Sequence, residues 1–428
     1  MDSNTIRAIR HDRQIRKFSL YGFLKNLKFF EPYLVIFLFA GGLNFFQIGL
    51  LYAIKEIIIY IFEIPSGVMA DNYGRKKELY LCFTFYIISF VIFFFTQSFF
   101  TAALAMVFFG LGEAFRSGTH KAMMYTYLEE KNWEEHKMLV YGRTRSFSLI
   151  GSAISSILAV ALILNIPGSR YIFLASIVPY ILDLLLIMSY PESLDRSGVT
   201  CSEPFMQALV SHMVRIFKRP KLRRFLVKAA TFEAVFKSVK DYIQPILGML
   251  LMSSGLALLS EFSLDDQLKI VLGITYGVIN LFSAFASRNV YRLQSYMVAE
   301  KMVNLFYLAQ IICFFILYWT IRISQPYLIA LMFVALYLIR DMRKPVLIDI
   351  CGSLMKKEER ATVLSVESQM RALFTVVLAP AAGFIADKAG VGLAMLCIGL
   401  LLLLVYFFVP NSVEDPCDGN NGLTREQH

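Results

Sequence analysis

In the stretch FLVKAATFEAVFKSVKDYIQPILGML, residues 225–250, Glu233, Lys237 and Asp241 recur at every fourth position. A helix would carry them as one charged stripe with Lys240 beside it, and Pro245 would kink that helix just outside the stripe. Charge set into an apolar helix can hold an ion or a proton, bind a charged cargo, or pair with a neighbouring helix. The same kind of charge appears at Glu31, at the adjacent Lys55 and Glu56, at Glu113 with Arg116 one turn on, and at Arg340 beside Asp341. At the centre of a bilayer each costs on the order of 2.5–3.5 kcal/mol, so each is a candidate functional group. Glu31, Glu113, Asp241 and Glu233 are the candidates for carrying a proton. Arg116, Lys237, Arg340, Lys55 and Glu56 are the candidates for a cargo cavity, although Lys55 and Glu56 read equally well as a packing pair. Glu63, Arg143, Arg145, Arg343 and Arg371 stand nearer the ends of apolar runs, where snorkelling or salt bridges account for them. His120 shares a face with Arg116 and reads as a hydrogen-bonding residue ahead of a proton relay.

The elements that position these charges are apolar helices. The 428 residues are 57% hydrophobic and 17% charged, with mean hydropathy +0.58, a balance unlike that of soluble chains. Runs near bilayer-spanning length, such as LYLCFTFYIISFVIFFFT and GLAMLCIGLLLLLVYFFV, recur throughout. Spans are expected at about 23–43, 48–69, 79–97, 101–125, 140–164, 172–190, 225–251, 269–287, 302–320, 326–349, 362–385 and 391–409. The fold class is therefore an all-α polytopic membrane protein of twelve transmembrane helices in two six-helix halves. The divisions are a basic N-terminus (1–22), a first half (23–190), a connector (191–224), a second half (225–410) and a polar tail (411–428) expected to be disordered.

Lysine and arginine collect on one side: Arg7 to Lys17, Arg75 to Lys77, Lys131 and Lys137, Arg215 to Arg224, Arg288 and Arg292, and Lys356 to Arg360. That bias places both termini in the cytoplasm and the protein in the cytoplasmic (inner) membrane. It also accounts for most of the +10 net charge, so no nucleic-acid partner is expected. In the connector, Phe205, Leu209, Met213 and Phe217 recur at helical spacing, as on a helix lying at the inner leaflet or an amphipathic strap. No removable signal peptide is expected at the basic N-terminus. The six cysteines are scattered without metal-ligand spacing, so no metal, disulfide or cofactor is expected.

The segment GVMADNYGRKKELY, residues 67–80, interrupts the apolar runs with two glycines, an aspartate and three bases. A phosphate cradle would need a strand before it and a soluble helix after it, whereas spans flank this segment. It reads as a tight turn. Gly67 would allow close helix approach, Gly74 a positive torsion, and Asp71 a contact with a helix N-terminus. Arg75, Lys76 and Lys77 hold it at the cytoplasmic side.

At Gly67, Ala70, Asp71, Gly74, Arg75 and Lys76 the segment resembles the GxLaDrxGRkx loop of the major facilitator superfamily. Nearly the whole chain shares that resemblance. A second copy of the pattern, GFIADKAG at 383–390, stands in the eleventh span, with Pro380 preceding it as Pro65 precedes the first. Inverted repeats of three helices predict this relation. In the fourth span, FFGLGEAFRSGTHKAMMYTYL resembles the family's glycine-rich helix, with Met106 where an arginine is usual. The acid that pairs with the loop arginine would align near Thr126, with Glu129 and Glu130 as substitutes nearby. The fifth span lacks the Gly-Pro pair typical of drug antiporters.

The resemblance implies a secondary active transporter working by alternating access, proton-coupled and exporting a small organic compound, as an efflux-type antiporter would. The alternatives are a proton-coupled importer of an organic anion and a non-transporting receptor or scaffold. Lys237, Arg116 and Arg340 point to a cargo with a negative group, and the many aromatics to an amphiphilic one. Neither a catalytic motif nor a Walker-type loop is present, so an enzyme and direct ATP drive are not expected.

Overall fold

The structure, a computed structural model, describes residues 3–116, 118–195, 219–254, 259, 261–290, 296–354 and 360–409. The expected connector helix and the tail from 411 onward lie outside the described residues, as does the side chain of Asp71. Helices α1 (Ser3–His11), α2 (Arg13–Leu24), α3 (Leu34–Ala40), α4 (Phe45–Tyr73), α5 (Arg75–Phe94), α6 (Phe99–Arg116), α7 (Thr119–Glu130), α8 (Lys137–Asn165) and α9 (Tyr171–Met188) build the first half. Helices α10 (Pro220–Val239), α11 (Ile243–Ser254), α12 (Leu264–Asn289), α13 (Ala299–Arg322), α14 (Pro326–Leu354), α15 (Arg360–Ala389) and α16 (Val391–Phe408) build the second. Among the described residues nine stretches are long and apolar enough to cross a membrane. The first, seventh and tenth expected spans are not among them: two are interrupted, and the tenth carries Arg340, Asp341, Arg343 and Lys344.

Three interruptions correct the expectation of continuous helices. Span one breaks after Leu24 and resumes at Leu34. Pro32 offers no N–H to the helix and disfavours helical torsions at Glu31, so the segment from Lys25 to Tyr33 turns instead. Span four breaks between α6 and α7, where Gly118 takes φ 83°. Span seven passes through a 3₁₀ turn, Lys240–Tyr242, because the ring of Pro245 conflicts with the carbonyl four residues earlier, that of Asp241. The break therefore falls inside the charged stripe rather than outside it. The first helices of the two halves are thus both discontinuous, an arrangement that in transporters flanks the binding site.

Helix α4 packs along α15 and α8 along α12, and these two pairs join the halves. At the end of the bundle opposite the basic loop the contact of α4 with α15 is closest. A Cβ at Gly383 would run into the Phe45 carbonyl, and one at Gly49 into the Ala379 carbonyl. The Asp387 carboxylate accepts from the amides of Phe45 (3.0 Å) and Phe46 (2.8 Å), and Asn44 with Gln47 completes a capping box on the same turn. Asp387 belongs to the second GxxADxxG copy, so that copy ties one half to the other. Gly67 plays no such part: a Cβ there would meet nothing within 4 Å among the described residues, which corrects the expectation of close helix approach at that position. Gly383→Leu is expected to force the two helices apart by overpacking. In detergent-purified protein the unfolding midpoint should fall by a few degrees or more; an unchanged midpoint would mean that this contact is not tight.

Candidate functional site

The turn in span one delivers Lys25, Asn26, Lys28 and Glu31 to a cavity of about 390 Å³ between the halves. Gln244, on α11 and 0% exposed, holds the break. Its Oε1 accepts from the amides of Val35 (2.9 Å) and Ile36 (3.3 Å), and its Nε2 donates to the Glu31 carbonyl and the Tyr276 hydroxyl, both at 3.0 Å. One side chain of the second half thus satisfies backbone groups that the broken helix leaves open.

The charges sort into four sets. Glu56, 1% exposed, accepts from Lys237 at 2.8 and 2.9 Å, and Lys55 stands 3.5 Å away. Lys240 reaches Glu31 at 3.3 Å and Asp241 at 3.0 Å, while the hydroxyls of Tyr52 (2.7 Å) and Tyr276 (2.9 Å) donate to the same aspartate. Glu113, Arg116 and Tyr86 close a triangle: the arginine lies 2.5 Å from the carboxylate, and the tyrosine donates to it at 2.7 Å. Arg340 donates to Glu233 at 2.6 Å and to Asp341 at 3.1 Å, with Lys344 at 3.6 Å from Asp341. The first two sets join α4 and the span-one turn to α10 and the 3₁₀ turn, so they are bonds between halves.

The residues expected to act together do not all meet. The stripe of Glu233, Lys237 and Asp241 is divided among three partners, Arg340, Glu56 and the tyrosine pair. Arg116, Lys237, Arg340, Lys55, Glu56, Glu31 and Glu113 line the 390 Å³ cavity, and Asp241 lines an adjoining one of about 250 Å³. Glu233 faces a small pocket of about 70 Å³ with Arg371 and Glu367. In the loop, Gly74 takes φ 108°, Arg75 donates to Thr126 at 2.7 Å, and Lys76 turns inward to the Tyr190 carbonyl at 2.9 Å. Glu129 pairs with Lys137 and Glu130 accepts from Ser193. His120 stacks on Tyr21 at 3.6 Å and bonds the Tyr190 hydroxyl at 3.1 Å.

Several participants escape a reading of the sequence. Asp183, in α9, is 0% exposed, and neither carboxylate oxygen has a hydrogen-bond partner among the described residues. Its signal was plain, a single acid within YIFLASIVPYILDLLLIM. Lys25, Lys28, Arg145 and Lys344 also line the main cavity. The first two lysines sit at the start of the expected first span and fall in the turn between Leu24 and Leu34.

The Major Facilitator Superfamily model matches residues 27–373, and the chain belongs to that family. An uncharacterised MFS-type transporter of Bacillus subtilis (strain 168), YxaM, is 28% identical over 222 residues, covering 51% of this chain and 54% of that protein. The chain thus spans about half the length of the curated relative it matches. The solved structure of nucleoside transporter NupG superimposes with TM-score 0.76 at 11% identity, covering 93% of this chain and 98% of that one. A D-xylose-proton symporter does so with TM-score 0.70 at 13% identity, covering 94% and 98%. These structural likenesses concern the fold alone, that of a multi-pass membrane protein of the family.

Proposed function

We propose that this transporter carries a small organic compound bearing a negative group, coupled to protons, across the cytoplasmic membrane. The observation that carries the reading is the pair of ionic bonds between halves, Glu56–Lys237 and Glu31–Lys240, inside a cation-rich cavity. Protonating either glutamate removes the charge that ties one half to the other. The halves can then rock, and the cavity changes sides. Glu31 is the best placed to exchange protons with the cavity, its side chain being 43% exposed, whereas Glu56 is at 2%. Glu113, Glu233 and Asp241 are the further proton candidates. The basic loops support cytoplasmic termini, and the segment FEIPSGVMAD, residues 62–71, which looks most like bacterial members of the family labelled efflux pumps, supports export. The excess of cations favours a second reading, uptake of an organic anion with protons.

The test offers a whole-cell metabolite extract to liposomes holding the purified protein under an imposed pH gradient, with mass spectrometry of the lumen. Antiport concentrates the cargo in an acid lumen, and symport in an alkaline one. Glu31→Gln and Glu113→Gln are each expected to abolish concentration without lowering expression. Cargo that concentrates equally well in both variants would remove these carboxylates from the coupling.

A further inference from the structure

We infer that the cargo carries a doubly charged oxyanion group, a phosphate monoester or a pair of neighbouring carboxylates, held by Lys25, Lys28 and Arg145. The inference deepens the transport reading and rests on it. The acids Glu31, Glu56, Glu113, Glu233, Asp241 and Asp341 each stand within 4.0 Å of a cation. The cations they meet, Lys55, Arg116, Lys237, Lys240, Arg340 and Lys344, match them in number. The cations first expected to attract an anion, Arg116, Lys237 and Arg340, are therefore committed within the protein.

Lys25, Lys28 and Arg145 are different. All three line the 390 Å³ cavity, and none has a hydrogen bond or ion pair to an acid among the described residues. Among the described residues Lys25 has the Tyr21 ring 5.2 Å away, and buried Asp183, although it is within electrostatic reach, makes no hydrogen bond to it. Two of them sit on the span-one turn and the third on α8, so the uncompensated charge is concentrated in the wall formed by the first half. Asn26 gives its amide hydrogen to the Gly22 carbonyl at 2.6 Å, and the hydroxyls of Ser148 and Ser152 bond carbonyls one turn back. Lys25 and Lys28 are partly buried and Arg145 is exposed along the same cavity, and cations there without an acid partner draw an anion. A monoanion leaves most of that charge unmet, whereas a dianion meets most of it, and the arginine fork suits paired oxygens. Phe236 and Tyr337, in the wall formed by the second half, face the organic remainder.

The experiment measures binding to the purified full-length protein by thermal shift, using four matched probes: phenyl phosphate, phthalate, benzoate and benzyl alcohol. At least one dianion is expected to bind about tenfold or more tighter than benzoate, and which dianion does so tells phosphate from dicarboxylate. Lys28→Ala and Arg145→Ala should each weaken that binding about tenfold or more, while Lys28→Arg retains it. Unliganded unfolding midpoints close to that of the unmodified protein establish that the variants are folded. Equal binding of benzoate, no binding of either dianion, or full binding by folded Lys28→Ala and Arg145→Ala would each overturn the inference. Gradient-driven uptake from the extract without dianion binding leaves the transport reading standing and removes this one. Dianion binding without uptake leaves the anion site standing but removes the transport reading and, with it, the claim that the bound anion is cargo.

Discussion

Glu56→Gln is expected to abolish gradient-driven transport and to destabilise the protein by about 3–5 kcal/mol. The carboxylate is 2% exposed and is shared by Lys237 and Lys55. Glutamine keeps the shape but leaves the two cations with no opposing charge between them. Removing one partner of a buried pair costs far more than removing both, because the survivor stays desolvated. Glu56→Gln with Lys237→Gln should therefore recover much of the lost stability, measured by denaturation in detergent, without recovering transport. Additive losses in this double-mutant cycle would show that the two residues act independently, contrary to the 2.8 Å contact.

The second large effect is expected at Gln244. Leucine fills nearly the same volume but supplies neither acceptor nor donor, so Gln244→Leu strands the amides of Val35 and Ile36, the Glu31 carbonyl and a hydrogen bond to Tyr276. Each buried polar group left unsatisfied costs about 1–3 kcal/mol, and more than one is stranded here. The expected result is a large fall in folded yield, by more than one order of magnitude, with transport lost in the remainder. Because the contacts join α11 to the span-one turn, the variant should also raise the susceptibility of residues 25–33 to cysteine labelling after Asn26→Cys. Wild-type yield and labelling would show that water replaces the glutamine without cost.

The family was legible because its loop leaves a dense local signature, Gly67 to Lys76, between two apolar runs. The helical class was legible because apolar runs of spanning length have few other solutions. The breaks were harder. At Pro32 the local chemistry signals an interruption, yet the apolar residues on either side read as one span. The split of the Glu233, Lys237 and Asp241 stripe depends on the 3₁₀ turn that Pro245 imposes one turn earlier, and on partners from α4, α12 and α14. Spacing along one helix places residues on a face but does not name what meets them. Arg145 shows the same limit: nearness to a span end suggested snorkelling, and the cavity reaches it nonetheless.

Alternating access is the claim on which the account rests, and its most direct test is a distance across the end where α4 meets α15. The Phe46 and Phe384 rings lie 6.2 Å apart there, and both side chains are exposed. Spin labels at Phe46→Cys and Phe384→Cys, in a background with the six native cysteines replaced, would report that distance by double electron–electron resonance. A short population that gives way to a longer one on lowering the pH, with the longer one present at every pH in Glu31→Gln, is the predicted result. A single unchanging short distance at every pH and with every cargo would contradict the account.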